Sequence, residues 1–472
     1  MIAADRIRAL PQRYGRRTLL ALGAIVLLGL FVRAYVVVNP VANPADDSHA
    51  YYALSKSLYE EGSFGGPEFE NSSDWSPGAP FLYAAAFAVT GGAREGTARI
   101  VEALLGVGTI LVVFALGWRL GGRWAGLFAA FAAAVYPPFI HTTGELMSEP
   151  PAMLTLPAAL LAFLWASDRT RGGGDRAERD VDRTSSWGRL WPWLIPGALF
   201  GLTAMFRPEY LLVAGAFVLL ALLRIGWGRE APGTRHNWAA GLAAAAVLLV
   251  AVILPILPWT IRNAVVLDRL VPISTGGGKA LYVGTFLPAD GEYQRVKAML
   301  VERYRHEDLA PDSEALNRID PTPLFDRVAA RYPDLPRDSA LGKVGKQNFR
   351  EFFDEDPAGY LAMTARKVGR MWSGGVGEAM SSALGRIVQV LLVLGGLAGL
   401  VLLTVRRRWW EAVVLVTPLA LITAVGAVSL AATRRNEVLM TLIFPLAGLA
   451  VSSGLAAISS SRNGANSGHL PG

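Results

Sequence analysis

Apolar runs of membrane length recur along the whole chain, near residues 18–38, 98–118, 122–140, 150–167, 190–206, 208–226, 238–260, 383–404, 409–430 and 437–457. Away from water, such a run satisfies its own backbone hydrogen bonds only as a helix. The pattern predicts an all-α polytopic membrane protein, a bundle of about ten transmembrane helices. A mean hydropathy of +0.35 agrees with that reading, since a soluble chain of this size rarely reaches it.

The opening stretch "MIAADRIRALPQRYGRRTLLALGAIVLLGLFVRAYVVV" starts basic like a signal peptide. Its apolar run is long and lacks a small-x-small cleavage site, so it is read as an uncleaved first span. The run Pro77 to Gly91 is about 15 residues long and bounded by Pro and Gly, which predicts an interfacial or re-entrant helix. With that run kept out of the count, arginines fall in every cytoplasmic connection: Arg6 to Arg17, Arg119 and Arg123, Arg169 to Arg189, Arg224 to Arg235, Arg406 to Arg408, and Arg462. Short cytoplasmic loops are rich in Lys and Arg for this reason. Two large segments then lie outside the cytoplasm, and function is to be sought there. The expected organisation is an N-terminal module over 1–262 with its first external loop at 39–97, a mostly helical external region with juxtamembrane helices over 263–382, C-terminal spans over 383–457, and a disordered cytoplasmic tail over 458–472.

The formal charge of +7 is spread in short arginine clusters between apolar runs, not gathered on one basic domain, which argues against a nucleic-acid partner. The chain has no cysteine, so disulfides, thiolate catalysis and cysteine-ligated metals are excluded. Its high Ala, Gly and Arg content suggests a GC-rich bacterial genome, hence a plasma-membrane location.

Within the external segments, "NPADDSHAYYAL" (Asn43 to Leu54) reads as a helix start. One aspartate suffices as N-cap, and the second is then available as a general base, since a helix N-terminus keeps a carboxylate ionised. "YPPFIHTTGELMSEPP" sets His141 one turn before Glu145 and Glu145 four residues before Glu149. Acids at a span boundary are costly unless hydrated, paired or coordinating a cation; the alternative is that Glu149 opens the next helix ahead of Pro150 and Pro151. His49, His141 and Glu145 are the weak candidates for a divalent metal. "AMFRPEYLL" puts Arg207 at an outer turn, paired with Glu209, reaching to lipid headgroups, or binding an anionic lipid phosphate. "PWTIRNAVVLDRLVPISTGGGKALYVGTF" contains Arg262, three glycines and Lys279. A glycine turn of this kind admits an oxyanion, although taken alone it reads as a flexible loop and lacks P-loop spacing. "SLAATRRNEVLM" carries Arg434 and Arg435 to the outer side, with Glu437 or a lipid-linked phosphate as compensating anion.

These motifs, with "SPGAPFLYAAAFAVTGG" and "DPAGYLAMTARKVGRMWS", occur in an order that resembles the GT-C-fold, polyprenyl-phosphate-dependent glycosyltransferases. The resemblance is to the bacterial branch related to dolichyl-phosphate-mannose protein mannosyltransferases and to the lipid A aminoarabinose transferase, and it covers most of Thr18 to Val451. It implies an extracytoplasmic active site, a lipid-phosphate sugar donor, and inverting transfer to a hydroxyl of a glycan, lipid or protein acceptor. On the same footing it implies Asp46 or Asp47 as base, Glu149 as the second-loop acid, Arg207 as the basic position, and Arg262, Lys279 and Arg434 or Arg435 towards the donor phosphate. Asp46 is the first choice for the base, Asp47 being nearer the helix proper. One departure is that "SSDWSPGAPF" lacks the lysine that the aminoarabinose transferase has there. A lipid flippase or transporter, or an inactive paralogue that binds lipid phosphate, is the alternative.

Overall fold

The computed structural model describes residues 14–40, 46–65, 73–171, 186–226 and 238–466, and all regular structure among them is helical. The first span, α1 (Arg16–Val38), is followed by the first-loop helix α2 (Asp46–Glu60) and the short apolar helix α3 (Gly78–Thr90). With 13 residues, α3 is about 20 Å long, too short to cross, and it ends on Gly91 in the left-handed region (φ 72°). Its Ala79, Tyr83 and Phe87 pack with Tyr51, Ala98 and Leu146, which brings both early external loops over one end of the bundle.

The expected runs 98–118 and 122–140 join as one helix, α4 (Glu95–Val135), folded back at Gly121 and Gly122. Gly122 has φ 74° and ψ −159°, a conformation only glycine holds without strain. Gly117 and Gly126 let the two legs touch: a Cβ on Gly117 would lie 2.8 Å from the Ala125 carbonyl, and one on Gly126 2.9 Å from that of Phe114. Next come α5 (Glu149–Arg171), α6 (Leu194–Phe206), α7 (Tyr210–Gly226) and α8 (Trp238–Leu267). Gly197 and Gly201 of α6 have no room for a Cβ against the Leu248 and Val252 carbonyls of α8, the small-x-x-x-small contact expected where lipid supplies no hydrophobic drive.

The external region holds α9 (Gly277–Thr285), α10 (Tyr293–Arg305), α11 (Thr322–Ala329) and α12 (Arg337–Glu355) around a core of its own that includes Tyr282, Val296, Phe325, Leu341 and Val344. The glycine stretch expected as a loop is instead the start of α9. Gly276 takes φ 104°, and a Cβ on Gly278 would overlap the backbone of Asp338; close packing against α12 is what requires glycine there. The amphipathic helix α13 (Pro357–Ser373) starts on Asp356, whose carboxylate accepts from the Gly359 amide at 2.8 Å. Lys367 on α13 is buried, and its ammonium donates to the Gly284 carbonyl at 2.7 Å and the Ala427 carbonyl at 2.9 Å. Asp290 receives Arg366 and Arg370. Against the upward push of burial, these two guanidinium groups hold its carboxyl below the usual range.

The chain closes with α14 (Ala383–Val405), α15 (Trp409–Val428) and α16 (Arg434–Asn466). Helix α16 continues to Asn466, into the segment expected to be disordered. Seven of these helices, α1, α4, α5, α8, α14, α15 and α16, are long and apolar enough to cross a membrane, by length and composition. The other apolar runs fall on shorter pieces, the second leg of α4 and helices α6 and α7.

Candidate active site

The charged residues of the early external loops and those before the last span meet at one end of the bundle. Helix α2 begins at Asp46 and is docked onto the second external loop, the Leu146 amide donating to Ser48 Oγ at 2.9 Å. This places Asp47 Oδ2 2.6 Å from Arg434, both side chains one-third exposed. Asp46 lies in the same first turn; its side chain is outside the described part of the structure. Four residues beyond Asp47, Tyr51 is buried against Ser148 and within electrostatic reach of Glu149, Asp47 and Arg207. Burial first, then Glu149, pushes its hydroxyl well up, so it stays a protonated donor.

Glu149 opens α5, as the capping alternative expects, and it also joins the charge cluster. Its carboxylate receives Arg207 at 2.6 Å, and the same guanidinium holds Glu209 through Nε at 3.0 Å and a terminal nitrogen at 2.8 Å. Arg207 sits at the turn between α6 and α7, where two nitrogens converge on Glu209 Oε1 and the third reaches Glu149, which fixes the plane of the guanidinium. Burial works to strip its proton, but Glu209 and Glu149 outweigh that and raise its pKa. In turn, Arg207 and Arg435 overcome burial and hold Glu209 below the usual carboxylate range. Arg435 also donates to Ser429 Oγ at 3.0 Å.

Glu437, read from the sequence as a local partner for Arg434, is not given that contact. Arg434 turns to Asp47, while both Glu437 carboxylate oxygens are buried with no hydrogen-bond partner among the described residues. The side chain faces Glu145, Glu149, Arg207 and Arg434. His141 Nε2 stands 3.7 Å from Glu145, and His49 is exposed on α2. Among the described residues no three His, Asp or Glu side chains form a metal-holding group.

Two other expected phosphate ligands have contacts of their own. Arg262 donates to the Phe64 carbonyl at 3.1 Å and lies over the ring of Trp259. Lys279 lies over Tyr293 and Phe325 of the external core. Sequence reasoning missed Tyr51 and Ser148, since a tyrosine in an amphipathic helix and a serine in a loop carry no signal until the two loops are docked.

The family of dolichyl-phosphate-mannose-protein mannosyltransferases matches residues 74–174. No curated protein matches the chain. Among solved structures, the oligosaccharyltransferase AglB from Archaeoglobus fulgidus, in complex with an inhibitory peptide and a dolichol-phosphate, is similar at 15% identity and a TM-score of 0.54, covering 97% of this chain and 52% of that one. The Archaeoglobus fulgidus oligosaccharyltransferase in complex with Zn and sulfate is similar at 16% identity and a TM-score of 0.51, covering 93% and 49%. The chain thus spans about half the length of these structures. ArnT from Cupriavidus metallidurans bound to undecaprenyl phosphate matches at 14% identity and a TM-score of 0.39, covering 92% and 78%. The chain has a GT-C-like fold, as the sequence resemblance implies.

Proposed function

We propose that this GT-C-fold chain is a membrane glycosyltransferase that moves a sugar from a polyprenyl-phosphate donor to a hydroxyl acceptor on the extracytoplasmic face, with inversion. The observation that carries this reading is the Asp47–Arg434 pair, set beside the Glu149–Arg207–Glu209 cluster. It joins an acid of the first external loop to a base of the last span, and the reaction needs one of each. The family that matches residues 74–174 is named for a lipid-phosphate sugar donor, and one similar structure holds a dolichol-phosphate, which supports the donor class.

Displacement at the anomeric carbon breaks the bond to the phosphate oxygen, which leaves with the electron pair, and forms the bond to the acceptor oxygen. The leaving group is already a phosphate, so cationic groups suffice to hold the charge that develops on it. Arg434, with Arg435 behind it, takes that role. Asp47 accepts the acceptor's proton. At rest these two partners neutralise each other, and the donor phosphate competes for the same guanidinium. Donor binding therefore frees the Asp47 carboxylate for the acceptor, which orders the reaction as donor first. We take Asp47 as the base, ahead of Asp46, because its carboxylate meets Arg434, the group we assign to the donor phosphate. Arg207, saturated by two carboxylates, holds Glu149 and the turn between α6 and α7 in place.

At rest Asp47 and Glu149 are each paired with an arginine, and no group of three metal ligands forms among the described residues.

The test is transfer or release of labelled sugar from a panel of polyprenyl-phosphate sugars by the purified full chain in nanodiscs. Turnover of at least one donor that is lost in Arg434→Gln supports the reading. Intact movement of the lipid across the bilayer without sugar transfer would replace it with a flippase.

A further inference from the structure

Arg434 and Glu437 both lie in the first turn of α16, three residues apart. Side chains at that spacing share a helix face, with Cβ atoms about 5–6 Å apart, and every Cβ of a helix leans towards its N-terminus. Glu437 thus leans back towards Arg434, an acid and a base placed to pair. They do not pair: Arg434 reaches across to Asp47 at 2.6 Å.

The acid left behind is fully buried, and both its carboxylate oxygens lack a hydrogen-bond partner among the described residues. A buried polar group left unmet costs the whole of its desolvation. The other arginine within electrostatic reach of Glu437, Arg207, is already held by Glu149 and Glu209. By contrast, the contact that Arg434 makes is open to water: its side chain and that of Asp47 are each one-third exposed, and hydrated ion pairs contribute little. Arg434 therefore stands between two acids, a hydrated one that holds it and a buried one that lacks it.

We infer that Glu437 is the second seat of Arg434: when Asp47 lets go, the guanidinium turns one edge to Glu437 and keeps another for the donor phosphate. The inference rests on the glycosyltransferase reading for what releases Asp47, the incoming phosphate. A guanidinium carries five donors in a planar fork, so an acid on one edge fixes its plane while a second edge meets an anion. Glu437 is a positioning residue. It touches no substrate, and it aims Arg434 at the charge that grows on the leaving phosphate. Its unmet oxygens draw the arginine off Asp47, so that one movement frees the base and grips the phosphate.

The first arm of the experiment is the structure of the full chain in nanodiscs as Asp47→Ala, with no ligand added. Arg434 is expected within hydrogen-bond distance of Glu437; a Glu437 still without a partner overturns the second seat. In the second arm the wild type is given a polyprenyl phosphate, and Arg434 is expected to bridge the phosphate and Glu437 with Asp47 released. Arg434 kept on Asp47, or turned to the phosphate with Glu437 unmet, overturns the aiming role. The third arm is kinetic. Glu437→Met is expected to keep or raise the unfolding midpoint, because the resting protein loses only unmet oxygens. It is also expected to lose about a hundredfold in kcat, the scale of a reacting group misplaced by about 1 Å. Glu437→Gln, which retains one acceptor oxygen, is expected to recover most of that rate. A merely structural acid would do the reverse, with a lowered midpoint and kcat intact in whatever folds. Should the wild type bind no polyprenyl phosphate and transfer no sugar, the glycosyltransferase reading falls, and the Asp47→Ala structure decides the second seat by itself. Sugar transfer with Glu437 unpartnered in both structures keeps that reading and sinks this inference.

Discussion

Asp47, in the first turn of the first-loop helix, and Arg434, at the start of the last span, are joined at 2.6 Å from opposite ends of the chain. As the proposed proton acceptor, Asp47 is the residue whose amide replacement is expected to lower transfer about 10²- to 10⁴-fold. The pair is partly hydrated, so the unfolding midpoint is expected to move little. Labelled-sugar release by Asp47→Asn and Asp46→Asn, read side by side with thermal unfolding, checks this. Normal turnover in Asp47→Asn with loss in Asp46→Asn would hand the base to the neighbour.

Arg207 is expected to behave oppositely, as a residue of stability first. Replacing it by Met leaves Glu149 and Glu209 buried without their counter-charge, a loss of about 3–5 kcal/mol, measured by thermal unfolding in detergent. The acid limb should follow from Glu209, whose carboxyl is held below the usual range. Its contribution is present above the unfolded carboxylate pKa of about 4.3 and is lost as pH falls through the depressed folded value. Glu209→Gln is therefore predicted to flatten the decline of the midpoint below about pH 4; an unchanged slope would mean that other carboxylates set it.

Lys367 gives a signal at the alkaline end. Burial first, then Arg370 and Arg435, lowers its pKa from 10.5 to about 8. Between those two values the unfolded chain binds more protons than the folded one, so stability rises with pH across that window. The neutral amine still has two N–H groups for the two carbonyls it serves. Thermal midpoints taken from pH 7 to pH 10 should climb in the wild type and stay level in Lys367→Met; a falling wild-type curve contradicts the assignment.

The glycines of α9 offer a choice between packing and phosphate binding. Gly278→Ala is expected to cost about 1–3 kcal/mol through overlap with the Asp338 backbone, visible as increased exchange in α9 and α12. Lys279→Gln is expected to leave binding of a polyprenyl phosphate unchanged. A marked loss of affinity in Lys279→Gln would return this stretch to the donor site.

The spans and the order of the motifs were legible because period and length are local properties of the sequence. Which charges pair was not. Arg207 has Glu209 two residues away and takes it, but it also takes Glu149, which only the packing of α5 against α6 brings near. Arg434 has Glu437 one turn on and ignores it for Asp47. Local spacing proposes partners; tertiary packing chooses among them. The triple glycine misled for the same reason: the need for a missing Cβ came from Asp338, 60 residues further along.

Helices α9 to α12 bury a set of apolar residues separate from that of the membrane bundle. Substitutions within one set are then felt weakly in the other, as for any sites that share no partner. A lineage carrying this architecture is free to resurface and repack the external unit, and so to change what it meets outside the membrane, without renegotiating how the helices hold together in lipid.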